Sequence, residues 1–285
     1  MAKVDVHFHI RSGYATIQEN GFEIRQGSEN FYLQPVQAYR STTDIGICDC
    51  VIIALKATAN DQLRTLISPL VNEDTLVVTL QNGLGNLETL AEIVPARQLV
   101  GGLCFVCINR IRPGIIENYF PGQLYLGSFN GADERRIEQL VSLFRSAGVD
   151  CKHSKNLETS LWKKLCWNIP FNGLAIAGGG ITTDQILNSE SLVAIARFLM
   201  AEVQAAAKAY GHELSDEFLQ KQFDITEPMG AYKPSSLIDY LEGRAVETEA
   251  IFGEPLRRGE AKGVAMPTLK TLYGLVQHLA AQRED

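Results

Sequence analysis

Three polar side chains, Lys164, Asn168 and Asn172, recur every four residues within the apolar segment LWKKLCWNIPFNG at positions 161–173. On an α-helix this spacing places one amine and two carboxamides along a single stripe. A purely structural helix gains little from two asparagines, because Asn is a weak helix former. The spacing therefore indicates a helix that presents hydrogen-bond donors to a ligand, although a solvated polar face has the same pattern.

The same segment contains Pro170, which bears on the shape of the helix, and Lys163, a second lysine beside Lys164. An interior proline removes one backbone hydrogen bond and costs about 3 kcal/mol, so we expect a kinked helix. Lys163 adjoins Lys164, but adjacent helix positions point about 100° apart and do not share a site. Lys164 shares the stripe of the asparagines and is therefore the candidate for acid–base chemistry.

The composition argues against several other classes of protein. The chain has 285 residues, 46% of them hydrophobic, which is enough to form one or two cores. A formal net charge of −7 argues against binding nucleic acid or an anionic membrane surface. No apolar run reaches the roughly 18 residues that span a bilayer, and the start MAKVDVHFHI does not resemble a signal peptide. We expect no membrane and no nucleic-acid partner.

The six cysteines do not have the spacing of a disulfide framework. Most of them lie in or beside apolar runs, as buried thiols do, which suits a reducing cytoplasm. Cys104 and Cys107 are spaced like half of a zinc or redox site, but no second pair or histidine follows at ligand spacing. The sequence therefore predicts a cytoplasmic protein with no metal site.

Strand and helix patterns alternate through the first half of the chain. Residues 4–10 alternate with a period of two, and the runs at 50–55 and 76–80 are apolar throughout, like buried parallel strands. Another strand is expected at 99–106, followed by a hairpin through 114–119 and 124–128. From about residue 156 only helical periodicity remains, with helices expected at 157–177, 183–187, 190–210, 215–222, 235–242, 246–262 and 267–281.

These patterns predict an α/β Rossmann-like domain with a parallel sheet at residues 1–154 and an all-α domain at residues 155–285. Such a layout is typical of enzymes that use a dinucleotide. The strand at 4–10 is followed by Arg11 and no acid, which favours the 2′-phosphate of NADP over the free ribose of NAD. Lys56 ends the apolar run at 50–55 and is a weaker candidate for a phosphate contact. A solvated charge at a strand end has the same appearance.

The chain resembles the ketopantoate reductase (2-dehydropantoate 2-reductase) family from residue 4 nearly to its end. The matching segments follow the family's order: DVHFHIRSGY, VIIALKA, QNGLGN, INRIRPGII, LWKKLCWNIPFN, PSSLIDYLEGRAVE and AKGVAMPTL. The resemblance implies a Rossmann domain and a helical domain that bind NADPH and an α-keto acid. The implied reaction is reduction of 2-dehydropantoate to (R)-pantoate in pantothenate biosynthesis.

The same resemblance implies a role for eight side chains. Lys164 matches the catalytic lysine of the family and would be the general acid. The substrate-binding positions are matched by Asn168, Asn172, Ser235 and Glu247. Ser236 adjoins Ser235 and leaves the choice of serine open. The cofactor-binding positions are matched by Arg11, Lys56 and Asn82.

Two departures from the family pattern leave alternatives open. The loop at 177–184 offers Thr182 and glycines where some members offer a further asparagine, so a related keto acid is a second candidate substrate. The family also has a strand, a glycine-rich turn and a helix before the strand at 4–10, and that turn cradles the pyrophosphate. We expect either a reductase whose chain continues upstream or a cofactor-free keto-acid binder of the same fold. The sequence does not determine the oligomeric state, and a homodimer is one candidate.

Overall fold

The computed structural model describes residues 4–283, which form two compact units. The first unit contains the described residues of Met1–Leu55, Ala59–Gln81 and Leu87–Leu157. The second contains those of Lys56–Thr58, Asn82–Asn86 and Glu158–Asp285. Two short segments from the first half of the sequence therefore pack with the helices of the second half. The predicted domains, residues 1–154 and 155–285, are continuous ranges, whereas the two compact units are not. These domain limits therefore stay a prediction.

Strands and helices alternate along the first unit, as the sequence predicts for a Rossmann-like domain. In chain order they are β1 His7–His9, α1 Tyr14–Asn20, β2 Phe22–Gln26, β3 Glu29–Leu33, β4 Gln37–Tyr39, β5 Cys50–Ile53, α2 Leu63–Ile67, β6 Leu76–Thr79, α3 Asn86–Ala91, β7 Leu99–Arg112, β8 Ile115–Ser128, α4 Glu134–Ser146 and β9 Cys151–His153. The main sheet has the order β3-β2-β8-β7-β6-β5, and β9 pairs with β8.

The main sheet has the parallel strands expected of a Rossmann-like domain and also contains antiparallel pairs. Strands β5, β6 and β7 run parallel, but β7–β8 and β2–β3 are antiparallel pairs. The expected hairpin through 114–119 and 124–128 is wrong, because both stretches belong to β8, which pairs with β7. Bulges between Phe105 and Arg112 shift the register of this pair, and they break the alternation that would mark two long strands.

The two apolar runs at 50–55 and 76–80 differ in burial. Every residue of β6 is buried, whereas β5 lies at the end of the sheet order and leaves Ile52 exposed. Within residues 4–283, β5 pairs only with β6. The interpretation of both runs as buried strands therefore holds for β6 alone, because an apolar run does not reveal whether a strand has one neighbour or two.

β1 and β4 form a separate two-stranded parallel sheet in the first unit. His9 lies opposite Tyr39, and the amide of Ile10 donates to the Tyr39 carbonyl at 2.9 Å. β4 is not predicted by the sequence, because three residues are too few to show a period of two. The parallel register brings Arg11 and Arg40 to the same end of this sheet.

The second unit is helical, and most helix bounds agree with the predicted ones. Its helices are α5 Leu157–Ala177, α6 Thr183–Leu187, α7 Glu190–Ala209, α8 Asp216–Thr226, α9 Ser235–Leu241, α10 Glu254–Ala261 and α11 Pro267–Ala281. α5 is assigned as one helix through Pro170. The helix expected at 246–262 begins later, at Thr248, and its first part is a π turn at Glu249–Gly253 that continues into α10, so Glu247 lies before it.

The helices of the second unit enclose one large apolar core. Its fully buried side chains include Trp162, Leu165, Ile169 and Phe171 of α5, together with Phe252 of the π turn. These α5 residues alternate with the polar stripe, so the core fixes the rotation of the helix about its axis. Between residues 4 and 283, no helix is long and apolar enough to cross a membrane.

Candidate active site

α5 directs its two lysines to different surroundings. Lys164 is buried, whereas Lys163 is exposed and places its amine 5.5 Å from the centre of the Phe218 ring. The divergence is the one that helical geometry requires of adjacent positions. Lys164 is therefore the lysine of α5 that the second unit encloses.

The Lys164 ammonium belongs to a chain of polar groups from three segments. Its Nζ donates to Oδ1 of Asn82 at 2.7 Å, and Nδ2 of Asn82 lies 3.4 Å from Oε2 of Glu247. The other carboxylate oxygen of Glu247 accepts from the backbone amide of Ala57 at 2.9 Å. Because the amide oxygen of Asn82 faces the ammonium, its NH₂ group faces the carboxylate. The sequence-predicted residues Lys164, Asn82 and Glu247 therefore lie together.

The loop at 82–86 is held against the π turn by its backbone. The amide of Leu84 donates to the Ala250 carbonyl at 2.9 Å, and the Asn86 side chain donates to the Asn82 carbonyl at 2.8 Å. Gly83 has a φ of 85° and approaches Ala250 so closely that a Cβ atom would lie 2.1 Å from the carbonyl oxygen. A glycine at 83 is thus required for Asn82 to reach Lys164.

The two asparagines of the stripe have different surroundings. Asn172 is fully buried, and its side chain donates to the Asn168 carbonyl at 2.9 Å while accepting from the Ser236 amide at 2.9 Å. It joins α5 to the first turn of α9. Asn168 is 8% exposed, and its carboxamide has no hydrogen-bond partner among the described residues. Of the two, Asn168 has the side chain available to a ligand.

The two serines at the start of α9 also differ. Ser235 is the first residue of the helix and is exposed, whereas Ser236 is buried and is bonded to Asn172 through its amide. The Ser235 hydroxyl is therefore accessible, and α5 fixes its position through the neighbouring residue.

Lys56 forms a contact that the sequence did not indicate. Its ammonium is ion-paired with Oδ2 of Asp239, and Nε of Arg244 donates to the other oxygen of the same carboxylate at 2.9 Å. Asp239 and Arg244 were not among the sequence candidates. A usable signal was present, since Asp239 follows Ser235 by four residues and lies on the same side of α9.

Arg11 lies in the first unit and lines a cavity of about 350 Å³. The other residues around this cavity are His9, Ile10, Gly13, Tyr14 and Arg40. The Arg40 guanidinium lies 4.7 Å from the centre of the Tyr14 ring. The two arginines give the cavity the positive charge that suits an anionic group. Arg40 was missed because it follows the unrecognised strand β4.

Cys166 lies two residues after Lys164 on α5 and has a titratable thiol. Burial raises the pKa of its thiol to about 12, so it stays protonated and is not a nucleophile at neutral pH. Among residues 4–283, no group of three or more His, Cys, Asp or Glu side chains could hold a metal ion. The contacts from Lys164 lead to the Asn82 carboxamide and, through it, to the Glu247 carboxylate.

Both halves of the chain match sequence models of a known family. Residues 1–131 match the model described as ketopantoate reductase PanE/ApbA, and residues 156–280 match its C-terminal counterpart. The chain is 37% identical over 280 residues to a 2-dehydropantoate 2-reductase of Nostoc sp., covering 96% of this chain and 88% of that protein.

Solved structures agree with these matches. A 2-dehydropantoate 2-reductase from Geobacter metallireducens superposes with a TM-score of 0.94 at 41% identity, covering 96% of this chain and 92% of the other. A 2-dehydropantoate 2-reductase from Methylococcus capsulatus gives a TM-score of 0.88 at 31% identity, covering 96% and 89% of the two chains.

Proposed function

Because the chain belongs to the ketopantoate reductase family, we propose that it reduces 2-dehydropantoate to (R)-pantoate with NADPH. The observation that supports this most directly is the buried Lys164 ammonium, bonded to Asn82 and linked through it to Glu247. Reduction of a ketone creates negative charge on its oxygen, and an ammonium can both stabilise that charge and deliver the proton. NADPH supplies the hydride when it is bound.

We assign the proton donation to Lys164 and its orientation to Asn82. The 2.7 Å contact with Asn82 fixes one of the three N–H directions of the ammonium. Glu247 orients Asn82 in turn, because its carboxylate accepts from the amide side of the carboxamide. Glu247 is also anchored by the Ala57 amide, which keeps a negative group near the ammonium in a buried setting.

We assign the recognition of the keto acid to Asn168 and Ser235, and the placement of α9 to Asn172. The carboxamide of Asn168 is unpaired among the described residues, and the hydroxyl of Ser235 is exposed. Both groups are neutral donors that suit a carboxylate or a hydroxyl. Glu247 is a further acceptor for a substrate hydroxyl.

Asn168→Ala is expected to lower kcat/KM for 2-dehydropantoate at least about tenfold, because a hydrogen bond to a charged group contributes about 1.5–3 kcal/mol. The Kd of NADPH should stay unchanged. Asn172→Ala should also lower keto-acid turnover, but with a lower melting temperature, since its side chain joins two helices. A loss of NADPH affinity in Asn168→Ala would instead place this side chain against the cofactor.

The preference for NADPH over NADH is part of the proposal and is supported by the cavity beside Arg11. The group that distinguishes the two cofactors is the 2′-phosphate, an anion that paired guanidinium groups bind well. Arg11 and Arg40 both line this cavity, and no aspartate or glutamate is among its lining residues.

Arg11→Ala is expected to raise the KM for NADPH about tenfold or more, as loss of a charge-assisted hydrogen bond predicts. The KM for NADH should hardly change, because NADH lacks the 2′-phosphate. Steady-state kinetics with each cofactor test this, and Arg40→Ala should shift the same ratio. Equal effects on both cofactors would contradict the assignment.

The proposed function is tested by following NADPH oxidation by the purified protein with 2-dehydropantoate. A related keto acid remains the second candidate substrate, because the Thr182 hydroxyl is engaged with Gln185 in the capping box of α6. The comparison substrate is 3-methyl-2-oxobutanoate, which lacks the whole hydroxymethyl group. A higher kcat/KM for this compound would overturn the choice of substrate. The names of the relatives give no support to the cofactor-free alternative.

A further inference from the structure

The carboxylate of Asp239 is shared by two cations within the second unit. Its side chain is only 3% exposed, and its two oxygens have separate partners, Oδ2 with Lys56 and Oδ1 with Nε of Arg244. A single cation would neutralise this carboxylate. The second partner therefore needs an explanation other than charge balance at Asp239 itself.

Arg244 is the fixed partner of the pair. Its backbone amide donates to the Asp239 carbonyl at 2.8 Å, so the turn that ends α9 holds the residue beside the carboxylate. Nη1 of Arg244 also contacts the exposed carboxylate of Glu242. The planar guanidinium thus bridges two acids that lie three residues apart on the same turn.

Lys56 is the partner that can move. Its ammonium is ion-paired with Asp239 alone among the described residues, whereas Arg244 is paired with two acids, and a lysine amine is a point charge on a flexible stem. Its backbone cannot follow, because the next residue, Ala57, is anchored through its amide to Glu247. The head group can therefore leave Asp239 while the segment Lys56–Thr58 stays in place.

A buried carboxylate that loses its last cation is strongly disfavoured. If Lys56 were the sole partner of Asp239, this cost would hold the lysine in place and oppose any other contact. Arg244 removes that cost, since it keeps Asp239 paired when Lys56 departs. We propose that Arg244 is a positioning residue for cofactor binding, which releases Lys56 from Asp239 to an anionic group of NADPH. The inference rests on the proposed function and extends it to Lys56, which matches a cofactor-binding position of the ketopantoate reductase family.

Arg244 is thus expected to affect the affinity for NADPH without contacting it. Arg244→Ala should weaken NADPH binding about tenfold, within the usual range of coupling between sites. Asp239→Asn should restore the affinity in the Arg244→Ala background, because a neutral amide does not hold Lys56. Asp239→Asn alone should bind NADPH about as well as the unchanged protein. The measurement is the Kd of NADPH by fluorescence titration.

The control is Arg257→Ala. Arg257 is 53% exposed and ion-paired with Glu249 and Glu254, which resembles the 47% exposed and ion-paired Arg244. It should leave the Kd unchanged. In a Lys56→Ala background, Arg244→Ala should have no further effect on the Kd, whereas a merely structural arginine would weaken binding in both backgrounds. Arg244→Gln is the second variant if the alanine variant does not fold.

Two results would overturn the inference. One is an NADPH affinity of Arg244→Ala equal to that of Arg257→Ala, and the other is a loss that Asp239→Asn does not restore. Either result, found while the unchanged protein still reduces 2-dehydropantoate with NADPH, leaves the proposed function intact. If the unchanged protein does not bind NADPH, the proposed cofactor and this inference are both wrong.

Discussion

Lys164→Ala is expected to lower kcat for the reduction of 2-dehydropantoate by at least about 10²-fold, the usual contribution of a general acid. Lys164 is 9% exposed, and its contact with Asn82 sets the direction of the ammonium, so alanine at this position leaves no donor with the same placement. Steady-state kinetics at saturating NADPH measure the effect. The Kd of NADPH should change much less than kcat, because Lys164 acts on the keto acid.

Two variants separate proton donation from charge and from helix stability. Lys163→Ala removes an equal charge from the next position of α5, but this lysine is exposed over Phe218, so kcat should hardly change. Lys164→Arg keeps the charge, but a guanidinium does not release its proton near neutral pH. The kcat of this variant should therefore stay far below that of the unchanged protein. Equal losses in Lys163→Ala and Lys164→Ala would show that the assumed orientation of α5 is wrong.

The sequence carried enough information to place Lys164 correctly on α5. A helix of 21 residues shows its period over several turns, and both predicted bounds agree with the structure. The same applies to α6 and α11, whose bounds were also predicted. The wide apolar face of α5 fixes which residues are enclosed, so the divergence of Lys163 and Lys164 followed from geometry alone.

The sequence could not reveal contacts that depend on how distant segments fold together. Lys56 and Asp239 are separated by 183 residues, and their pairing depends on the segment Lys56–Thr58 packing with the helices. The position of Arg40 beside Arg11 could not be predicted, because β4 has only three residues and is recognised by its register with β1. The π turn at Glu249–Gly253 was missed for a related reason, since a pattern with a period of 3.6 residues predicts an uninterrupted α-helix.

The loop that carries Asn82 provides the second large effect, at Gly83. Gly83 and Gly85 have φ angles of 85° and 87°, so an alanine at either position incurs the left-handed penalty of about 1–2 kcal/mol. Their surroundings differ. A Cβ atom at Gly83 would lie 2.1 Å from the Ala250 carbonyl oxygen, whereas one at Gly85 would lie 3.4 Å from the flexible side chain of Glu254.

Gly83→Ala is therefore expected to lower kcat/KM for 2-dehydropantoate by about 10²-fold, the loss that a displacement near 1 Å can cause. The new methyl group must break the bond from the Leu84 amide to Ala250 and move Asn82 away from Lys164. Gly85→Ala should lose only stability, with activity changed a few-fold at most, because it has the same backbone penalty without the clash. Measuring kcat/KM and melting temperature for both variants separates the two effects. Equal losses of activity would mean that backbone strain, and not the contact with Ala250, controls the position of Asn82.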